Sequence, residues 1–429
     1  MSILSSIFTG VSGLNSNGQE LSVIGDNIAN VNTVGFKGSR MAFGDILSQS
    51  LTGLSGTSQV GRGVAVEGVT PMFTQGSFQN TSSGLDVAID GEGFFMVKNN
   101  GATNYTRAGN FQLDQGGNVV TPSGAALQGY LADATGNITG QIGSIKLLAN
   151  ANLPQATSTA SLSVNLDSGS TVPSAAWATW APGTINPPPA TVYNSTTSVT
   201  AYDTLGNAHQ VDIYFAKGAT AAGPPPTTAW TAHYVYQDSA VPALYHEAGV
   251  GQTLTFDSSG VLSPATAKTA VLPFTWGGAA GAGGVTFDLT GTTQVAGSFA
   301  VSSLGQNGYS TGSLKNVLID DKGLVTGVFT NGQTRNMAQL CLARFPAETD
   351  LTKVGNNLFA QSSTSGQPII GAAQTSGLGR TLSDTLELSN VDIAEEFTNL
   401  ISAQRGFQAN TKIITTTDEL LNELISIKQ

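Results

Sequence analysis

Apolar residues repeat every seven positions at the two ends of the chain and alternate with polar ones between them. Ile7, Leu14, Leu21 and Ile28 form one row, with Ile3, Leu4, Val11, Ile24 and Val31 beside it at offsets of three or four. From residue 389 onward, Ile393, Leu400, Phe407, Ile414 and Leu421 form a second row. Phe397 and Ile425 mark its neighbouring seam position, which Gln404, Thr411 and Asp418 interrupt. Such rows predict an amphipathic helix at each end, with a coiled-coil-like stripe. The C-terminal row runs unbroken through the Thr415–Glu419 stretch, so one long helix is predicted there. Ser389, Asn390 or Asp392 can cap it, and Glu395 and Glu396 fall in its first turn.

The N-terminal helix carries Gly10, Gly13, Gly18 and Gly25, each costing about 1 kcal/mol against Ala. Three asparagines, Asn27, Asn30 and Asn32, close it, followed by Gly35, Phe36 and Lys37. Asn tolerates the left-handed conformation that ends helices, so Asn30 and Asn32 are the expected exit and Gly35 the turn after it.

The body between the helices reads as β-structure. Residues 61–69 alternate, and Leu85, Val87 and Ile89 share a face before turns at Gly91 and Gly93. Residues 111–124 predict a hairpin around Gly116 and Gly117, and 313–335 predict strands flanking Asp320, Asp321 and Gly323, with another turn at Asn331-Gly332. Composition shifts near 150 toward Thr, Ser, Ala and Pro. Strands are predicted there at 197–215, 229–237, 252–263 and 284–289, with Pro-rich loops at 186–190 and 223–228. The expected fold is mainly β with long terminal α-helices, in nested discontinuous domains.

Composition narrows the function. The chain has 429 residues, room for about three domains. Only 10% are charged and the net charge is −11, which argues against nucleic acid and anionic membrane as partners. No stretch reaches the ~20 apolar residues of a membrane span, so no membrane insertion is expected. The first basic residue is Lys37, so the positive region of a cleaved signal peptide is missing. The single cysteine, Cys341, rules out an internal disulfide framework and reads as buried packing among apolar neighbours.

Two arrangements of the helices are open: pairing within one chain, or packing on other copies. Pairing alone is insufficient, because about ten apolar side chains do not repay the ordering of ~37 residues against a glycine-interrupted partner. Both helices are therefore expected to need neighbours from other chains and to be mobile in a free monomer.

The terminal motifs carry a resemblance. Residues 27–37, with 389–410, resemble the paired terminal motifs of the bacterial flagellar rod and hook proteins. The stretches 81–97, 105–130, 199–215 and 306–332 are similar to the hook branch of that family. The resemblance implies a subunit that self-assembles as a homopolymer into a curved flexible tube, a universal joint between the motor's rod and the filament. It implies a helical core from 1–32 and 389–429, a linker at 33–70, a middle β-domain from 71–147 and 311–385, and an outer β-domain from 148–310. Implied partners are a rod protein at the proximal end, a hook cap during growth, junction proteins at the distal end, and the flagellar type III export apparatus. The implied place is outside the cell, in the hook. A distal rod or hook-associated protein, and an adhesin or enzyme anchored by its helices, are the alternatives.

Candidate chemistry is sparse. The H-E-x-x-H, P-loop and C-x-x-C patterns are absent. His209, His233 and His246 lie in separate segments without metal-ligand spacing. The Gly-rich stretch 276–285 lacks a following Lys-Ser or Lys-Thr and reads as a flexible loop. Asp320 and Asp321 read as turn residues. No catalytic residue, metal site or cofactor is expected.

Overall fold

The computed structural model describes residues 3–46, 49–53, 56–133, 135–147, 153–221, 227–238, 243–269, 271–276 and 283–427. Most elements are strands, with one long helix near each end, α1 (Ile3–Ala29) and α2 (Ile393–Ile427). The second helix is unbroken. Hydroxyls of Thr416 and Thr417 fold back onto the Ile413 carbonyl and Thr415 onto Lys412, so the threonine run stays inside the helix. Of the three cap candidates, Asp392 does the capping, accepting the Ala394 and Glu395 amides at 2.7 and 3.2 Å.

The chain divides into two compact units. The first holds Met1–Ala149, Lys315–Val328 and Thr334–Gln429, and the second Asn150–Leu314 and Phe329–Gln333. In the first, a branched sheet is built around the strand Thr334–Arg344, which pairs with Leu324–Phe329, Ala126–Ala132, Phe94–Asn99 and Ile369–Ala372. Phe94, Tyr105, Phe345 and Phe359 form its aromatic core, with Phe73 edge-on to Phe94 at 5.3 Å. Residues expected as a linker, 33–70, instead contain strands: Ser39–Asp45 pairs antiparallel with Val64–Pro71, and Gln49–Gly53 with Gly56–Val60.

The second unit centres on Ala208–Ala221 and Thr227–Gln237, paired antiparallel, with Ser195–Tyr202 on one edge. A four-stranded sheet carries Thr159–Asn165 between Gly283–Asp288 and Ala300–Gln306. Their inward residues make one core that includes Phe215, Trp230, Tyr234, Phe256, Trp276 and Phe287. The Pro-rich loop expected at 186–190 is irregular as read, whereas 222–226 and the Gly-rich 277–282 lie outside the described residues.

One turn recurs in both units. Asp114, Asp133, Asp203, Asp257 and Asp320 each open a tight hairpin loop with Gly three positions on. In each, the Asp carboxylate accepts the backbone N–H four residues ahead, at 2.7–2.9 Å. The glycines take φ between 74° and 89°, which a side chain would disfavour. Asp320 is thus a turn residue, as its sequence context suggested.

Two of these turns rest on a clearly depressed carboxylate. The Thr135 hydroxyl and the Asn137 amide hold Asp133 down to about 2. Burial pushes Asp203 up, but hydrogen bonds from His209, Asn207 and Leu205 outweigh it and bring the group to about 2. A depressed carboxylate contributes stability above its unfolded pKa near ~4 and loses it as pH falls toward its folded one. The second unit should therefore weaken between about pH 4 and about pH 2. All four tryptophans lie in it, so tryptophan fluorescence reports it alone. Asp203→Ala should lower stability at pH 7 and flatten this acid limb; an unchanged limb contradicts the assignment.

Candidate assembly surface

The two helices pair along a seam of small residues on α1. A Cβ added at Gly10 would lie 3.1 Å from Ile414, one at Gly13 2.7 Å from the Asn410 side chain, and one at Gly18 3.9 Å from Phe407. On the other side, a Cβ at Gly406 would meet Asn17 at 3.0 Å. Three of the four glycines that weaken α1 in isolation, Gly10, Gly13 and Gly18, are thus where α2 approaches. The sevenfold rows lie largely at this seam. Ile7, Leu14, Leu21, Ile28, Leu400, Phe407, Ile414 and Leu421 are half-buried.

Ile393 and Phe397 behave differently. Both are exposed, with Ile401, Ile413, Leu420 and Ile425 on the same helix and Phe8 and Val11 on α1. Phe8 is 66% and Phe397 49% exposed in the paired state, so pairing leaves large apolar side chains open on both helices. Phe407 and Ile414 already have a partner within the chain, at the glycines of α1.

Below the helices, the asparagine stretch is a junction more than a stop. Asn27 is buried. Its Nδ2 donates to the Ser39 carbonyl and to Glu396 Oε1, both at 2.9 Å, and its Oδ1 accepts the Ser39 amide at 2.9 Å. One side chain thereby ties α1, the following strand and the first turn of α2. Asn30 ends the helix by donating to the Asp26 carbonyl at 2.9 Å, and Asn32 is exposed. Neither adopts the left-handed conformation expected of them. Gly35 takes it, at φ 64°, and its N–H donates to the Glu387 carbonyl at 2.7 Å. Phe36 is buried beneath the Lys353 ammonium, 5.2 Å from its ring centroid.

Lys37 was legible only as part of a motif, yet it is fully buried. Its Nζ donates to Glu387 Oε1 at 2.6 Å and to the Thr74 carbonyl at 2.8 Å. Burial pulls its pKa below the ordinary lysine value, and Glu387 opposes that shift. Asn390 completes the junction, accepting the Gly38 amide at 2.8 Å and donating to the Met72 carbonyl at 2.8 Å. Replacing Asn27 by Ala should cost about 2–4 kcal/mol, since three buried groups lose their partner. Asn32→Ala should change stability by less than about 0.5 kcal/mol. Urea unfolding of the two variants checks this; equal losses would contradict it.

A cleft of about 800 Å³ adjoins the junction, lined by Asn30, Thr33, Phe36, Asn110, Lys353 and Asn357 among others. It gathers amides and hydroxyls without a nucleophile–base pair. Each histidine has its own carboxylate: His209 with Asp203, His233 with Glu247, His246 with Asp238. No cluster of three metal-ligating side chains occurs among the described residues. Cys341 is buried against Met96 Sδ at 3.4 Å, and burial pushes its thiol up to about 12, which makes it a poor nucleophile. Among the described residues no helix is long and apolar enough to cross a membrane.

Comparison with known proteins places this arrangement. Family models match at both ends and through the body: "Flagella basal body rod protein" at 7–37, "Flagellar hook protein FlgE/F/G D1 domain" at 88–169, "Flagellar basal body protein FlaE D2 domain" at 165–309, and "Flagellar basal body rod FlgEFG protein C-terminal" at 382–427. The flagellar hook protein FlgE of Salmonella typhimurium is 35% identical, over 97% of this chain and 98% of its own. That of Borreliella burgdorferi is 32% identical, over 99% and 100%. That of Brucella suis is 34% identical over the whole of both chains. The chain belongs to the flagellar hook protein FlgE family. A crystal structure of Helicobacter pylori flagellar hook protein FlgE2 is similar at 14% identity, with a TM-score of 0.49, over 71% of this chain and 98% of that one.

Proposed function

We infer that this chain is a structural subunit of the bacterial flagellar hook and polymerises through the open apolar face of its paired terminal helices. The observation that carries the reading is the set of large apolar side chains, Phe8, Val11, Ile393, Phe397, Ile401, Ile413, Leu420 and Ile425, that stay exposed after α1 and α2 have packed together. Apolar side chains left open in this number on long helices need a cover, and other copies of the same helices supply one. In this reading the half-buried rows serve twice. Leu14, Leu21, Leu400 and Phe407 face the partner helix on one side and a neighbouring copy on the other.

The helical core (1–32 and 389–429) lies inward in the tube. The middle (71–147 and 311–385) and outer (148–310) β-domains face outward. The tube bends because its outer contacts are between hydrated Ser, Thr and Asn surfaces with few ion pairs to lock a register. It transmits torque from a rod protein at its proximal end to junction proteins at its distal end, with a cap present during growth. Subunits reach it through the flagellar type III export apparatus. Hook proteins are structural, and no catalytic role is assigned.

Electron microscopy of the purified chain at rising concentration tests this. Tubes of uniform diameter are expected above a threshold. A chain that stays monomeric at every concentration and salt condition overturns the reading.

A further inference from the structure

Glu387 is the point at which the C-terminal strand meets three separate N-terminal segments. Its Oε1 accepts the Lys37 ammonium at 2.6 Å and the Gly76 amide at 2.9 Å, and its Oε2 lies 3.5 Å from the Arg107 guanidinium. Its carbonyl accepts the Gly35 amide, and the strand it ends, Thr385–Glu387, pairs with Phe78–Asn80. The side chains of Lys37 and Glu387 are wholly buried and that of Arg107 is 3% exposed.

Two buried cations thus share one buried carboxylate. Arg107 has further partners in the Gly91 and Ile89 carbonyls, at 2.8 and 3.4 Å, and its Nε has none. The half-buried Glu348 adds a more distant negative charge that acts on both cations. The arrangement is asymmetric. Without Lys37, Glu387 and Arg107 remain a matched pair. Without Glu387, two cations are left in a dry site, the costly case for buried charge.

We propose that Glu387 is the closing signal of the fold: the segments around Gly35–Lys37, Gly76 and Arg107 come together only when the C-terminal strand delivers its carboxylate. Lys37 and Glu387 are 350 positions apart in the chain. A chain delivered in extended form therefore holds this junction open until both ends are present. Where hook assembly is concerned the proposal rests on the reading above, and it makes an incomplete subunit unable to present its helices. The charge logic itself is a property of the monomer.

Native-state proteolysis of the full-length chain tests it, read as the rate of cleavage within residues 39–80. Glu387→Gln keeps the shape and removes the charge; it should speed cleavage on the order of tenfold or more, while Lys37→Met changes it less than about threefold. The decisive measurement is Lys37→Met in the Glu387→Gln background. There it removes one of the two uncompensated cations, so cleavage should slow again. The same increase from Lys37→Met in both backgrounds overturns the proposal. If Glu387→Gln alone yields no folded protein, recovery of folded chain in the double variant supports the proposal and continued failure overturns it. Polymerisation of the parent chain is scored separately. The predicted cleavage pattern in a chain that never forms tubes would refute the hook reading and leave the closing role standing.

Discussion

Phe397→Glu with Ile401→Glu should abolish polymerisation and leave the monomer's melting temperature within about 2 °C of the parent's. The two residues lie one turn apart on α2, both about half exposed in the paired helices. Glu is a good helix former, so the helix itself is not weakened. What changes is the open face, where two apolar groups worth about 1.5–3 kcal/mol each when fully buried give way to charges that resist burial. Each subunit repeats the defect, so the assembly threshold should rise by a factor on the order of 10³ or more. Phe407→Ala separates the two faces. It opens a gap at the Gly18 contact within the chain, so it should lower monomer stability as well as assembly. A double variant with a normal threshold would place the contacts between copies elsewhere.

The second large effect is expected at Gly35. An Ala there must hold φ 64° and place its Cβ 2.6 Å from the Ala108 nitrogen and the Arg107 carbonyl carbon. Both are backbone atoms, which cannot rotate aside. The left-handed conformation costs about 1–2 kcal/mol, and the overlap brings the total to about 3 kcal/mol or more. Gly25→Ala is the control. It sits on an exposed part of α1 with nothing within 4 Å of the new Cβ, and should gain about 0.5–1 kcal/mol. Equal and small effects at both positions, measured by urea unfolding, would show that the junction is not held at Gly35.

The sequence made some of this legible because certain patterns have one physical outcome. A sevenfold apolar row spanning five turns or more can only be satisfied by a helix, and both helices are present. An Asp followed three positions later by Gly, between alternating strands, specifies a hairpin loop, as at Asp114 and Asp320. Periodicity shows which residues share a face but not what covers it. Phe407 and Phe397 read as members of one apolar helix, yet one meets Gly18 of the same chain and the other meets solvent. The glycines at 10, 13 and 18 were the available signal, since a close helix neighbour is one reason to keep residues that otherwise weaken a helix.

The junction was the least legible part. Lysine is among the residues least often buried, so nothing in its pattern marks Lys37 as an interior cation, and its partner lies at the far end of the chain. Asn27 likewise looks like its neighbours Asn30 and Asn32. Its role depends on the Ser39 strand and the first turn of α2 meeting beside it. The linker at 33–70 came from the resemblance alone; alternation was legible only at 61–69, and the strands there pair with each other.

A helical reconstruction of the polymer by electron cryo-microscopy tests the central claim most directly. The account predicts that Phe8, Val11, Phe397, Ile401 and Ile413 become buried against other copies, while Phe407 and Ile414 keep their contacts with Gly18 and Gly10 of their own chain. A polymer in which those five side chains remain open to solvent would contradict it.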